Sequence, residues 1–176
     1  MDKEMSTAHT MKKGNYMPEK KLQHGDSSQK SKGVQQPDPS IPDCLFCRII
    51  RGDIPSMKVY EDKDFFAFLD IGPINKGHTL LVPKGHYPDF LVTPDPVLSR
   101  VYQTAKKIAL ALESALGADG FNISTNIRPA AGQIIFHTHI HIIPRFAGDG
   151  FVHWKGKPLS QEEMQAVVKK VRGVLG

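Results

Sequence analysis

Cysteine is scarce in this chain: there are two in 176 residues, both within Cys44-Leu45-Phe46-Cys47. Two cysteines build no disulfide framework, so the expected compartment is a reducing cytoplasm, and the pair is left open to a metal or redox role. No apolar run approaches the roughly 20 residues that cross a bilayer, so no membrane segment is expected. The N-terminus mixes Lys with Asp and Glu and has no apolar stretch of the kind a secretory signal needs. A concentrated basic patch with interleaved aromatics is missing too. The net charge of +5 and the pI near 9.2 are spread along the chain. That spread argues against a nucleic-acid groove while suiting phosphate-bearing partners in general. No repeat of solenoid length is present.

What is there is ordinary globular material, 40% hydrophobic and 23% charged, and it is unevenly placed. Residues 1–43 are rich in Lys, Ser, Gln, Asp and Pro, with seven lysines against six acids and no arginine. Such a segment buries too little apolar area to offset its ordering entropy, so a disordered polar tail is expected. Its acids and its lack of arginine argue against a transit peptide. Residues 44–176 form one domain with one core.

Within that domain, residues 45–51 read as a short helix or turn. Lys58–Glu61 and Phe65–Leu69 read as strands around a charged turn, and His78–Pro83 as a buried strand. Asp95 is a candidate cap with Pro96 at the first helical position. Leu98, Val101, Ala105, Ile108, Leu112 and Leu116 then trace an amphipathic helix that Gly117 ends. Phe121–Asn126 and Gln133–Ile143 read as strands. Ser160 and Glu163 form a capping box for a last helix carrying Met164, Val167, Val168, Val171 and Leu175. Strands in hairpin-like succession with separate helices predict an α+β fold built on an antiparallel sheet.

The densest chemistry lies in His137-Thr138-His139-Ile140-His141. On a strand these histidines share one face, successive ones about 7 Å apart. Phe136, Thr138, Ile140 and Ile142 fill the other face, and that row accounts for the strand. It does not account for three imidazoles, whose burial without partners costs a few kcal/mol. Two chemistries fit: metal ligation, and attack of a neutral imidazole on phosphorus with its neighbours holding the phosphoryl oxygens. Cys44-x-x-Cys47 by itself reads as a zinc knuckle, a redox pair or two core thiols; no thioredoxin-like pattern follows it.

His137-Thr-His139-Ile-His141-Ile-Ile resembles the histidine-triad (HIT) superfamily. The resemblance extends in order through Cys-Leu-Phe-Cys-Arg-Ile-Ile at 44–50, Phe-Ala-Phe-Leu-Asp-Ile at 66–71, Gly-His-Thr-Leu-Leu-Val-Pro-Lys-Gly-His at 77–86 and Gly-Gln at 132–133. It is nearest to the Hint-like branch of nucleoside phosphoramidate hydrolases. It implies a sheet of about five antiparallel strands, one long and one C-terminal helix, and a homodimer. It implies His139 as nucleophile, His141 as an α-phosphate ligand and His78 beside the leaving group. Asp70 would hold ribose hydroxyls, and Phe46, Ile49, Phe68 and Ile71 would wall the base. Asn126 and Gln133 would lie near the nucleotide, a purine nucleotide such as AMP. A structural zinc would sit on Cys44, Cys47, His86 and His137. Ile134 stands where the Hint-like branch often carries a small hydroxyl residue that touches phosphate. A non-catalytic nucleotide- or partner-binding module is therefore the alternative to a hydrolase or transferase.

Overall fold

The run Phe65-Phe66-Ala67-Phe68 has no polar residue on either side of its pleat, and a strand of that kind needs cover on both faces. The computed structural model, which describes residues 44–152 and 154–176, supplies it. The expected tail over 1–43 lies outside the described residues. Among the described residues five strands, β1 (Lys58–Glu61), β2 (Phe65–Leu69), β3 (Thr79–Pro83), β4 (Gly120–Ser124) and β5 (Ile140–Arg145), form one sheet in the order β1-β2-β3-β5-β4. Every neighbouring pair is antiparallel.

Alternation along the strands divides the core in two. On one face Phe65, Ala67, Leu81, Ile140 and Ile142 meet Val97, Val101, Ala105, Ile108, Ala109 and Leu112 of α2 (Asp95–Leu116). On the other, Phe66, Phe68, Leu80 and Val82 meet Phe46 and Ile49 of the seven-residue helix α1 (Leu45–Arg51). The residue between Ile140 and Ile142 is His141, so it faces away from α2. Register places it across from Leu80 of β3 and Ser124 of β4.

Helix α2 starts one residue before the position expected. Pro94 is the N-cap, its carbonyl accepting from the Val97 and Leu98 amides, and Asp95 and Pro96 lie in the first turn. Asp95 still meets the positive end of the helix dipole there. Gly117 ends the helix in the left-handed conformation, as its sequence position predicts. Helix α3 (Gln161–Leu175) carries the expected capping box at Ser160 and Glu163, and none of its residues is buried.

The strand expected over 133–143 is shorter than its composition suggests. It begins at Ile140, and 133–139 runs as an irregular segment. The cause is tertiary. The Gln133 amide bridges the Arg128 N–H to the carbonyls of Pro88 and Ile135, and the Thr138 N–H donates to the Tyr87 carbonyl at 2.7 Å. These bonds replace a ladder. Phe136 consequently leaves the apolar row and is half exposed, while Thr138, Ile140 and Ile142 stay buried.

Candidate active site and metal centre

The three histidines of the triad do not share one environment. His137, in the irregular segment, turns toward α1, and His139 and His141 lie together beyond it, their ring centroids 5.0 Å apart. Phe46 of α1 meets His137 and His139 edge-on, at 5.9 and 5.3 Å between centroids. Thr138, between them, is pinned from behind by a 2.8 Å bond between its hydroxyl and that of Thr93.

Hydrogen-bond partners assign the proton on each ring. His139 Nδ1 lies 2.6 Å from the His137 carbonyl, which only accepts. The proton is therefore on Nδ1, and Nε2 carries the lone pair. The Ile74 amide donates to His78 Nδ1 at 3.2 Å, so the His78 proton is on Nε2. That proton is donated to His141 Nδ1 at 2.9 Å, which leaves His141 with an N–H at Nε2. The result is one imidazole with a free lone pair beside one with a free N–H.

Charge follows burial. Desolvation lowers the pKa of His78, His139 and His141, because a buried imidazolium loses its hydration. His141 is pushed down to about 4 by burial and by neighbouring His139 and His78, against a weaker opposing pull from Asp70. His139 and His78 are also lowered, chiefly by burial and again against Asp70, the backbone bond opposing it as well at His139. Neutral rings at neutral pH are what the assignments above require. Asp70, about one-fifth exposed, accepts from the Gly72 amide at 2.8 Å and lies 3.6 Å from His78 Nδ1. Asp70, His78 and His141 bring ligand atoms within 4.8 Å of one another. Yet the lone pair of His78 is taken by the Ile74 amide and that of His141 by the His78 N–H. His78 and His141 are a hydrogen-bond relay, with Asp70 beside it.

Beneath it lies a second cluster. Cys44 at the N-cap of α1, Cys47 one turn later, His86 after β3 and His137 place their ligand atoms within 4.8 Å of one another. Cys44 Sγ and Cys47 Sγ are 3.4 and 3.6 Å from His137 Nδ1, and Cys47 Sγ is 3.4 Å from His86 Nδ1. Tetrahedral zinc with Zn–S near 2.3 Å and Zn–N near 2.0–2.1 Å sets S···N edges of about 3.6 Å. The four residues fit that ion. His137 Nε2–H donates to the Pro83 carbonyl at 2.9 Å, which turns the Nδ1 lone pair toward the sulfurs and supplies the outer-shell bond a ligating histidine needs. Burial pushes the His137 pKa down to about 4, keeping it in the ligating neutral form.

Comparison with known proteins agrees with this geometry. The model of the HIT domain matches residues 51–148. An uncharacterized HIT-like protein of Methanocaldococcus jannaschii is 47% identical over 130 residues, covering 74% of this chain and 99% of that protein. The chain belongs to the HIT family. A second relative of this HIT protein, an adenylylsulfatase of Arabidopsis thaliana, is 43% identical over 123 residues, which span 70% of this chain and 61% of that one. Among solved structures, a zinc-bound histidine triad family protein from Mycobacterium smegmatis superposes with a TM-score of 0.61 at 36% identity, covering 76% of this chain and 98% of that one.

The other residues singled out in the sequence do not all gather at the triad. Phe46, Ile49 and Phe68 are buried in the core on the α1 face, whereas Ile71 is fully exposed in the loop after β2. Asn126 Nδ2 reaches the Gly132 carbonyl at 3.5 Å. Gln133 is buried, with both ends of its amide engaged inside the chain. Sequence reasoning missed the Ile74 amide and the Pro83 carbonyl, which set ring orientation in this HIT protein, and the Tyr87 carbonyl, which holds the Thr138 backbone. Backbone groups leave no mark in residue identity, so nothing there could have disclosed them. Thr93 was missed too; a threonine inside the apolar row of the triad strand was the signal that something polar sat behind Thr138.

Proposed function

We propose that this HIT protein is a nucleotidyl hydrolase or transferase that cleaves nucleoside-5′-phosphoryl-X substrates, phosphoramidates or dinucleoside polyphosphates, with His139 as nucleophile. The observation that carries the reading is the His139 ring: neutral, tethered through Nδ1–H, with a lone pair on Nε2 beside a relay that presents the His141 N–H. The Nε2 lone pair forms an N–P bond to the α-phosphorus, and the P–X bond breaks with its electron pair going to X. X leaves after taking a proton from the histidine cluster or solvent. Water then attacks the same phosphorus and breaks the N–P bond, releasing the nucleoside monophosphate and restoring neutral His139. His141 Nε2–H donates to a phosphoryl oxygen as charge builds there, and His78 stands beside X. Asp70 takes the ribose hydroxyls, and Asn126 and Gln133 lie near the nucleotide. Phe46, Ile49, Phe68 and Ile71 provide apolar surface to the base of a purine nucleotide such as AMP.

Zinc on Cys44, Cys47, His86 and His137 has a structural part, tying α1 to the segment that carries the triad. With four protein ligands, no position is left open for a catalytic water. The protein acts in the cytoplasm as a homodimer, a state that light scattering at tens of micromolar distinguishes from a monomer.

The test uses adenosine phosphoramidate, a dinucleoside polyphosphate and, after the relative named for it, adenylyl sulfate. Turnover of at least one by the wild type, its loss in His139→Ala, and an acid-labile adenylyl group on His139 in quenched samples are expected. No turnover of any of the three, or turnover unchanged in His139→Ala, overturns the proposal.

A further inference from the structure

The proton assignment at the reacting centre depends on one backbone amide, that of Ile74, in a loop with little to hold it. Residues 71–74 and 76 are exposed, Ile71 completely and Ile74 by two-thirds. Among the described residues no apolar anchor fixes the middle of this turn. Local bonds shape it, from the Gly72 amide to Asp70 at 2.8 Å, the Lys76 amide to Asn75 Oδ1 at 2.9 Å and the His78 amide to the Asn75 carbonyl at 3.0 Å; its tie to another part of the chain is the Asn75 side chain, whose Nδ2 donates to Asp149 Oδ2 at 2.8 Å.

Asp149 is built to receive it. It lies beyond the end of β5; the residue is exposed, but its side chain is only 14% so. Arg145 donates to both its oxygens, from Nε at 2.7 Å and Nη2 at 2.5 Å. The Phe146 and Phe151 amides donate to it at 3.0 Å each. Arg145 is fixed in turn by Asn122 Oδ1 on β4 at 3.2 Å and by the Phe151 ring, 3.8 Å from the guanidinium carbon. The carboxylate cannot swing without breaking a bidentate charge-assisted pair. Asn75 is thus docked on a rigid post, and the loop between Asp70 and His78 is docked with it.

We infer that Asp149 and Asn75 are positioning residues for the reacting histidines: they hold the 71–77 loop where the Ile74 N–H faces His78 Nδ1, and so impose the Nε2–H form on His78 and, through it, on His141. Neither residue touches substrate. The inference rests on the proposed role of the histidine cluster as the reacting centre. Without the Ile74 amide, His78 Nδ1 loses the donor that keeps its proton on Nε2. The relay then reads in either direction, and His141 presents a lone pair to the phosphoryl oxygens for part of the time, where attraction needs an N–H.

The experiment measures tautomers directly. Imidazole nitrogens are labelled in full-length protein, and long-range proton–nitrogen correlations are recorded at neutral pH for wild type, Asn75→Ala and Asp149→Ala. Asn75→Ala leaves the Arg145–Asp149 pair intact and so isolates the loop bond from any fault in folding. In the wild type, His78 and His141 are expected as single Nε2–H forms. In both variants their two nitrogen shifts are expected to converge, as in a mixture. His139, tethered to the His137 carbonyl, keeps its Nδ1–H signature throughout and is the internal control. Pure Nε2–H forms surviving in either variant overturn the inference. With a substrate that turns over, Asn75→Ala lowers kcat about tenfold with KM within about twofold; unchanged kcat overturns it as well. Absence of turnover in the wild type is a failure of the proposed activity alone, and the tautomer spectra still decide the positioning role.

Discussion

Gly77 stands one residue before His78, with φ at +84°, where an L side chain is strained. A Cβ built on it would lie 2.5 Å from Leu116 Cδ1, 3.2 Å from Pro144 Cγ and 3.5 Å from Leu112 Cδ2. Gly77→Ala therefore meets two separate costs. The left-handed backbone costs about 1–2 kcal/mol once a Cβ is present. The methyl adds an overpacking cost of about 1–3 kcal/mol. The Leu116 methyl can rotate away, but the Pro144 ring belongs to β5, so relief is partial. The sum is about 2–5 kcal/mol. Gly52 is the control, since its φ is also +84° and a Cβ there meets nothing within 4 Å. Gly52→Ala isolates the backbone cost. Both variants are to be melted in urea and followed by far-ultraviolet circular dichroism, which reports α2; Trp154 is 98% exposed and a poor fluorescent reporter. Gly77→Ala is expected to lose at least about 1 kcal/mol more than Gly52→Ala, and to lose more turnover, because the displaced residue carries His78. Equal losses would refute the claim that this glycine is required by close approach as well as by its backbone.

Two further outcomes follow from the burial of the rings and from the sulfur–imidazole cluster. Removing metal with a strong chelator is expected to lower the melting temperature and release one zinc per chain by atomic absorption. Cys47→Ser should show the lower melting temperature without the chelator, and zinc-free wild type that melts identically to the untreated protein contradicts the assignment. The pH dependence has a defined sign. The folded-state pKa of His141 lies near 4, below the 6.5 of a free imidazole, so the unfolded chain takes up protons first as pH falls. The stability from burying this ring neutral is present above about pH 6.5 and is lost progressively toward pH 4. Turnover should likewise persist below the free-imidazole pKa, because burial lowers the pKa of His139 as well; a pH–rate profile breaking at 6.5 speaks against a desolvated cluster.

Much of this protein was legible in its sequence wherever periodicity is strong and local. The apolar run Phe65–Phe68 required cover on both faces and has it. The three-and-four spacing from Leu98 to Leu116 produced α2, and Gly117 ended it. Ser160 and Glu163 capped α3. The four metal-binding candidates converge although 93 residues separate Cys44 from His137; resemblance supplied that grouping where spacing alone left it open. Tertiary structure decided the rest, since it turns on groups that residue identity does not encode. The apolar row at 136–142 suggested one long strand, but the buried Gln133 amide and the Tyr87 carbonyl compete for its backbone, and His137 reaches the cysteines from an irregular segment. Which nitrogen of each imidazole holds a proton depends on a carbonyl at 137, another at 83 and an amide at 74, each brought into place by chain folded from elsewhere. Side-chain type dictated that histidines would meet here; only the packed backbone determined which of them offers an electron pair and which offers a proton.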